Sequence, residues 1–162
     1  MITGKENIIG AIIEAYAMEK GTADFYNHLE IITDDPALKE LFNTLKTWEN
    51  AHISYLSHLY KSLMDERETI TFEQFSQELP STHIESGIPL NDAFALFNKK
   101  DITITSDAIK LALEIEGKAY NLYRELSQKA ADTNAKVIFS DMMTQEKKHI
   151  EQINNYKKQG GV

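Results

Sequence analysis

The sequence contains no cysteine, and none of its apolar runs reaches the length of about 18 residues that a transmembrane helix requires. The absence of cysteine excludes disulfides, thiolate metal sites, a cysteine nucleophile and an iron–sulfur centre within this chain. No charged segment followed by an apolar one opens the sequence. We therefore expect no secretory signal, no membrane partner and a cytoplasmic location.

Basic residues are also scarce, because 17 Lys and Arg face 25 Asp and Glu and leave a formal net charge of −8. Binding to nucleic acid is driven by Lys and Arg on phosphates, so this balance argues against a nucleic-acid partner. With 42% hydrophobic and 26% charged residues, the composition is otherwise that of an ordinary globular protein. We predict a single domain that spans residues 1–162.

What the sequence does contain is an internal repeat, which is visible when the chain is compared with itself at a shift of 97 residues. Each half holds an isolated glutamate, a tyrosine seven residues later, and an E-x-x-H motif that begins thirty residues after the glutamate. The matching residues are Glu19, Tyr26, Glu49 and His52 in the first half and Glu116, Tyr123, Glu146 and His149 in the second. Four carboxylates and two imidazoles in two-fold register form a ligand set for two metal ions inside a four-helix bundle.

Four long segments carry the spacing of bundle helices, with apolar residues that recur in alternating steps of four and three. In each segment the candidate ligands replace apolar residues at positions that face the core. The pattern predicts an all-α protein with a ferritin-like four-helix bundle. Two repeated antiparallel helix pairs, residues 4–64 and 105–158, would be joined by a long crossover of residues 65–104.

Capping residues agree with these helix boundaries. Residues 3–6 have the pattern of a capping box for the first helix. Asp35 is predicted to cap the second helix, with Pro36 at its first position, and Asp132 or Thr133 is predicted to cap the fourth. The two short connections make the helices of each pair antiparallel neighbours.

The crossover of residues 65–104 breaks the helical pattern and is too long for a bundle turn. Residues 72–79 and 90–98 could form short helices within it. Its many apolar side chains predict that it packs on the bundle or on a partner and is not a free linker.

The predicted ligands need a compensating positive charge, because burying four carboxylates alone costs several kcal/mol per ion. Two divalent cations would supply it, and mixed carboxylate–imidazole ligation suits iron best, with manganese or zinc as possible substitutes. The alternative is a hydrogen-bonded polar layer without metal. In the assignment that we predict, Glu49 and Glu146 bridge the two ions, Glu19 and His52 complete one ion, and Glu116 and His149 complete the other.

Three aromatic residues lie near the predicted site. Tyr26 and Tyr123 fall on the same helix faces as the isolated glutamates, so we expect each hydroxyl to orient a carboxylate or to be oxidised during turnover. The alternative is a core tyrosine whose hydroxyl is satisfied elsewhere. Trp48 flanks the site but matches Gln145 in the repeat, and this favours a packing role.

On these residues the chain resembles the rubrerythrin branch of the ferritin-like superfamily, over roughly residues 4–64 and 104–158. The resemblance implies a non-haem di-iron protein that reduces hydrogen peroxide or oxygen while it cycles between diferrous and diferric states. It also implies metal roles for the four repeated glutamates and two histidines, and carboxylate-orienting roles for the two tyrosines. Because rubrerythrins carry a Cys-ligated rubredoxin domain and this chain has no cysteine, the electrons would come from a separate, rubredoxin-like donor protein. A homodimer is expected.

The sequence departs from rubrerythrins at one position of the site. They have an additional glutamate three residues after the third-helix ligand, where this chain has Ala119, and the repeat mate of that position is Thr22. The remaining six-ligand set is similar to the symmetric site of bacterioferritins. A ferroxidase or iron-handling protein is therefore the alternative function. A metal-responsive interaction module, in which residues 65–104 respond to metal loading, is a third.

Overall fold

The computed structural model describes residues 5–64, 83–84, 87–96 and 104–161. Within these ranges the chain is helical, with no strand and one isolated bridge between His83 and Pro89. The helices are α1 (Lys5–Ile32), α2 (Pro36–Leu63), α3 (Leu90–Leu96), α4 (Ile104–Lys129) and α5 (Thr133–Tyr156), and a π-helical turn (Lys157–Gly161) follows. None of these helices is both long and apolar enough to cross a membrane.

The second helix of each pair begins at an aspartate cap. Asp35 accepts a hydrogen bond from the backbone N–H of Leu38 at 2.9 Å, and Pro36 occupies the first helical position of α2. Asp132 accepts the equivalent bond from Ala135 at 2.8 Å at the start of α5. Each cap satisfies a backbone donor that the first turn of a helix leaves unpaired. The predicted caps of the second and fourth helices are thus confirmed, and Asp132 is the one used in the latter.

The long helices pack as two pairs, α1 with α2 and α4 with α5, and α2 also packs against α5. The first pair is antiparallel, because Lys46 of α2 reaches Glu30 of α1 while His52, further along α2, reaches the earlier Glu19. An all-helical, bundle-like arrangement of two helix pairs is therefore present, as the heptad pattern predicts.

The core consists of two apolar clusters with a charged layer between them. One cluster includes Phe25, Leu29 and Phe42, and the other includes Ile12 and Leu56, all at most 1% exposed. The glutamates and histidines of the repeat lie in sequence between the segments that supply the two clusters. The helices therefore place these polar side chains at mid-length, with packed hydrocarbon above and below.

The described part of the crossover packs on α1. Ile84, Leu90 and Ala93 are buried in the core, and the ring of Phe94 stacks on Phe25 at a centroid distance of 6.5 Å. The predicted helix at residues 90–98 is present as α3, whereas the predicted helix at residues 72–79 lies outside the described residues. The capping box at residues 3–6 also involves residues that are not described.

Candidate metal centre

Six side chains from four helices meet in the charged layer between the two apolar clusters. The helix α1 contributes Glu19, α2 contributes Glu49 and His52, α4 contributes Glu116, and α5 contributes Glu146 and His149. None of the six is more than 1% exposed to solvent. A spacing of three residues on a helix places the Glu and the His of each E-x-x-H motif on one face, so that both point inward. The structure thus brings together all six side chains that the repeat singles out.

The Nδ1 atom of His52 faces three carboxylates. It lies 3.1 Å from Glu19 Oε2, 3.4 Å from Glu49 Oε2 and 2.9 Å from Glu146 Oε1. One of these carboxylates belongs to the partner helix α1, one to the same helix, and one to the other helix pair. A single imidazole nitrogen therefore lies at the meeting point of three helices.

The Nδ1 atom of His149 has the matching environment in the other half. It lies 2.8 Å from Glu116 Oε2, 3.2 Å from Glu49 Oε1 and 3.2 Å from Glu146 Oε2. Glu49 therefore presents one oxygen to each histidine, and so does Glu146. The isolated glutamates differ in this respect, because the structure places each of them against one histidine alone.

The two tyrosines of the repeat connect the helix pairs. The hydroxyl of Tyr26 donates a hydrogen bond to Glu116, and the hydroxyl of Tyr123 donates one to Glu19. Both tyrosines are fully buried. Each hydroxyl thus orients the isolated glutamate of the opposite pair, and not the one on its own helix.

Several polar atoms of the layer remain without a hydrogen bond of normal geometry. They are both carboxylate oxygens of Glu49, both of Glu146, and the Nε2 atoms of His52 and His149. The oxygens lie near imidazole nitrogens without accepting a well-aligned bond from them. Buried polar atoms are almost always satisfied in folded proteins, so a cluster of unsatisfied carboxylate oxygens indicates a missing positive partner.

The contacts around each imidazole also fit metal coordination. Two atoms bound to one ion at about 2.1 Å and at a right angle to each other lie about 3 Å apart. The six distances from Nδ1 to carboxylate oxygen fall between 2.8 and 3.4 Å. Ligand atoms of Glu49, His52, Glu146 and His149 all lie within 4.8 Å of one another, so this group could hold a metal ion.

Burial and mutual contact divide the carboxylates into two kinds. Burial raises the pKa of Glu19 to about 7, assisted by the charge of Glu49, and burial likewise raises the pKa of Glu116 well above its ordinary value. Burial acts in the same direction on Glu49, but the adjacent Glu19 carboxyl group and the charge of His149 outweigh it and lower the pKa to about 2. Burial is outweighed at Glu146 also, where His52 lowers the pKa. Without metal, the carboxylates shared by both histidines thus stay ionised while the outer ones tend to be protonated.

Both imidazoles hold protons strongly in the absence of metal. Burial by itself lowers the pKa of His149, but the carboxylates of Glu116 and Glu49 raise it to about 12. Burial opposes the change at His52 too, where the charges of Glu19 and Glu146 raise the pKa well above its ordinary value. The metal-free layer is therefore neutralised by protons, and those protons occupy the atoms that a metal would need.

The aromatic surroundings of the two histidines differ. The imidazole rings of His52 and His149 stack at 5.0 Å and 10°, and the indole of Trp48 stacks on His149 at 4.9 Å and 20°. The repeat predicts only a packing role for Trp48, and it gives no indication that the indole contacts a candidate ligand. Its only signal in the sequence is its place directly before Glu49.

No protein-family model, no curated protein and no solved structure matches this chain.

Proposed function

We propose that this chain is a rubrerythrin-like non-haem di-iron oxidoreductase that reduces hydrogen peroxide or oxygen with electrons from another protein. The observation that carries the proposal is the buried, two-fold arrangement of four carboxylates and two imidazoles, in which the oxygens of Glu49 and Glu146 accept no well-aligned hydrogen bond from the described part of the chain. This donor set is the one that dinuclear carboxylate centres in helix bundles use.

The contact pattern supports a division of labour among the ligands. Glu49 and Glu146 each contact both imidazoles, which is what bridging carboxylates require. Glu19 contacts His52, and Glu116 contacts His149. We name the two ion positions after their histidines: the His52 position includes Glu19, the His149 position includes Glu116, and both share the bridging glutamates.

A metal pair accounts for this layer better than a purely polar core does. Satisfied polar networks stabilise a core, whereas partly satisfied networks are costly, and here four carboxylate oxygens have no well-aligned hydrogen bond among the described residues. Two divalent ions balance the charge of four carboxylates and leave both imidazoles neutral. Mixed carboxylate–imidazole ligation favours iron or manganese, and zinc is a possible substitute.

Iron is the metal that we propose, because two Fe²⁺ ions would supply the two electrons that reduce hydrogen peroxide to water, or oxygen to peroxide, and would polarise the oxidant. The chain's own side chains then have two tasks. The apolar clusters on either side keep water away from the layer, as the complete burial of the six residues shows. Tyr26 and Tyr123 hold the outer carboxylates in place, and their hydroxyl protons lie at the edge of the layer.

The electrons must reach the centre from outside the chain, because the sequence has no cysteine to hold a second iron centre of the rubredoxin type. We propose a separate rubredoxin-like donor protein and a homodimeric state for this chain. We propose no nucleic-acid partner for this chain, in keeping with its net charge of −8.

One observation favours a second candidate, a ferroxidase or iron-handling protein. Ala119 is fully buried three residues after Glu116, and Thr22 is fully buried at the matching place after Glu19. Neither position supplies a carboxylate, so the six-ligand set stays symmetric. A symmetric set has no additional ligand to exchange when the metal changes oxidation state. Oxidation and release of iron therefore compete with peroxide or oxygen reduction as the proposed activity.

The proposal is tested by loading the protein with two Fe²⁺ per chain under nitrogen and mixing it, in separate stopped-flow experiments, with hydrogen peroxide and with oxygen. We expect oxidation faster than that of free Fe²⁺, faster with peroxide than with oxygen, and two irons retained through repeated cycles of reduction and oxidation. Glu49→Gln is the matched variant and should lose the acceleration. Uptake of more than two irons per chain, or release of the bound irons after oxidation, would favour iron handling. Oxidation no faster than that of free Fe²⁺ would overturn both candidates.

A further inference from the structure

The single tryptophan breaks the two-fold symmetry of the layer. Trp48 precedes Glu49 in the first half of the repeat, and the matching residue before Glu146 in the second half is Gln145. All six proposed ligands and both tyrosines have repeat mates of the same type. Among the residues in and beside the layer, the indole is therefore a feature of one half alone.

The indole stacks on one of the two candidate imidazoles. Trp48 and His52 each stack on His149, at ring-centroid distances of 4.9 Å and 5.0 Å. The ring contacts of His52 are this stack and the edge of Tyr123, at 6.3 Å and 73°. Among the described residues each imidazole thus contacts two rings, but both contacts of His149 are stacks, whereas His52 has one stack and one edge contact.

Stacking matters here because the usual means of fixing a histidine ligand is missing. A metal-bound imidazole normally donates its second ring N–H to a carboxylate or a carbonyl group, and this bond sets the ring orientation. The Nε2 atoms of both histidines are buried and have no hydrogen-bond partner among the residues that the structure describes. Ring packing then helps to orient each imidazole, and at His149 it includes an indole stacked on the imidazole ring.

We infer that Trp48 is a positioning residue that makes the two metal positions unequal, so that the His149 position holds its ion more tightly than the His52 position. The inference rests on the proposed dinuclear site and deepens it. An imidazole held in its binding orientation loses less freedom when it takes up metal.

Titration of the metal-free protein with Co²⁺ in single-histidine variants tests this inference. His52→Ala leaves the His149 position as the intact one, and His149→Ala leaves the His52 position. Loss of an orienting contact typically weakens metal binding by about tenfold or more. We therefore expect the tighter Co²⁺ step in His52→Ala to have a dissociation constant about tenfold lower than the tighter step in His149→Ala.

The same comparison is repeated in three backgrounds that alter the indole. Trp48→Gln gives both halves the same residue, and the difference between the two histidine variants should shrink to less than about twofold. Trp48→Gln combined with Gln145→Trp moves the indole to the other half and should reverse the order. Trp48→Phe keeps an aromatic ring and should retain the difference. A packing role alone would lower the melting temperature of the Trp48 variants without bringing the two affinities together.

The outcomes separate this inference from the proposed function. Equal affinities in the two histidine variants, or an unchanged difference with Trp48→Gln, would overturn the role of Trp48 while the dinuclear site stands. Failure of the unaltered protein to bind Co²⁺ would overturn both. If the variant with the transferred indole does not fold, the contrast between Trp48→Phe and Trp48→Gln decides the question.

Discussion

Tyr123 of α4 donates a hydrogen bond to Glu19 of α1, so that a residue of the second helix pair holds a candidate ligand of the first. Tyr26 and Glu116 form the reciprocal bond. The two halves of the repeat are thus interlocked through the outer carboxylates of the layer. Each isolated glutamate contacts a histidine of its own pair and a tyrosine of the other, and metal binding is thereby coupled to the packing of the two pairs.

Removal of one of these hydroxyls should weaken one metal position selectively. Tyr123→Phe leaves the buried Glu19 carboxylate without its donor, so we expect a loss of about 1–3 kcal/mol in the free energy of unfolding. We also expect metal affinity at the His52 position to fall by about tenfold. Chemical denaturation and Co²⁺ titration measure the two effects. Tyr120→Phe on the same helix, where the residue is half-buried and lies near Arg124, is the control. Equal behaviour of the two variants would contradict the orienting role.

Bridging and outer glutamates should differ in their effect on metal content. Glu49→Gln removes a carboxylate that contacts both histidines, so we expect less than one ion per chain. Glu19→Gln removes a ligand from the His52 position alone, so about one ion per chain should remain at the His149 position. Glu14→Gln, an exposed residue of α1, should keep the full complement. Elemental analysis after reconstitution and desalting gives the counts, and identical losses at Glu49 and Glu19 would refute the bridging assignment.

The stability of the metal-free protein should fall as the pH rises. The folded-state pKa of Glu19 is about 7, above its ordinary value of 4.5, so the folded protein holds more protons than the unfolded one between these values. The pKa of His149 is raised from 6.5 to about 12, and its contribution is likewise lost as the pH rises above 6.5. Both effects lower the free energy of unfolding as the pH increases. On the acid side, the pKa of Glu49 is lowered from 4.5 to about 2, so the unfolded protein takes up this proton first and the free energy of unfolding falls as the pH drops below 4.5.

Metal reverses this dependence, because the ligands must give up their protons to bind it. We expect the melting temperature in chelator to decrease between about pH 5 and pH 8, and the melting temperature with Co²⁺ to increase over the same range. Loading at pH 7 should release about three to four protons per chain, measurable in a weakly buffered dye solution. A metal-free melting temperature that rises from pH 5 to pH 8 would show that protons do not neutralise the layer.

The sequence predicts the ligand layer well because the repeat and the heptad pattern determine which face of a helix a residue occupies. Asp35 and Asp132 are also predictable, since an N-cap depends on residues within one turn. Neither pattern determines which facing helix a side chain meets. The bonds of Tyr26 and Tyr123 to the opposite pair could therefore not be derived.

The stacking of Trp48 on His149 shows a different limit. The internal repeat identifies residues that both halves share, and Trp48 is not one of them because the matching residue is Gln145. The crossover lacks both periodicity and repetition, so the contact of His83 with α1 does not follow from local rules.

Gly21 is a second point at which α1 meets the described part of the crossover, besides the stack of Phe25 and Phe94. A methyl group at this position would overlap the backbone carbonyl oxygen of His83, whereas one at Gly10 of the same helix would meet open space. Gly21→Ala should therefore displace the segment around residue 83 and lower the melting temperature. Gly10→Ala should stabilise α1 by about 0.5–1 kcal/mol. Thermal unfolding and the rate of limited proteolysis compare the two, and equal stabilisation by both would contradict this packing. Metal-dependent proteolysis of the crossover in the unaltered protein would instead favour the interaction-module alternative.

The most direct test of the central claim is the number of metal ions that the buried layer binds. Metal-free protein is reconstituted anaerobically with excess Fe²⁺, desalted, and analysed for iron and protein together, with Glu49→Gln treated in parallel. Two irons per chain in the unaltered protein, with most of that iron lost in the variant, is the result that we predict. No retained iron, or iron retained equally by the variant, would contradict a dinuclear centre formed by these six side chains.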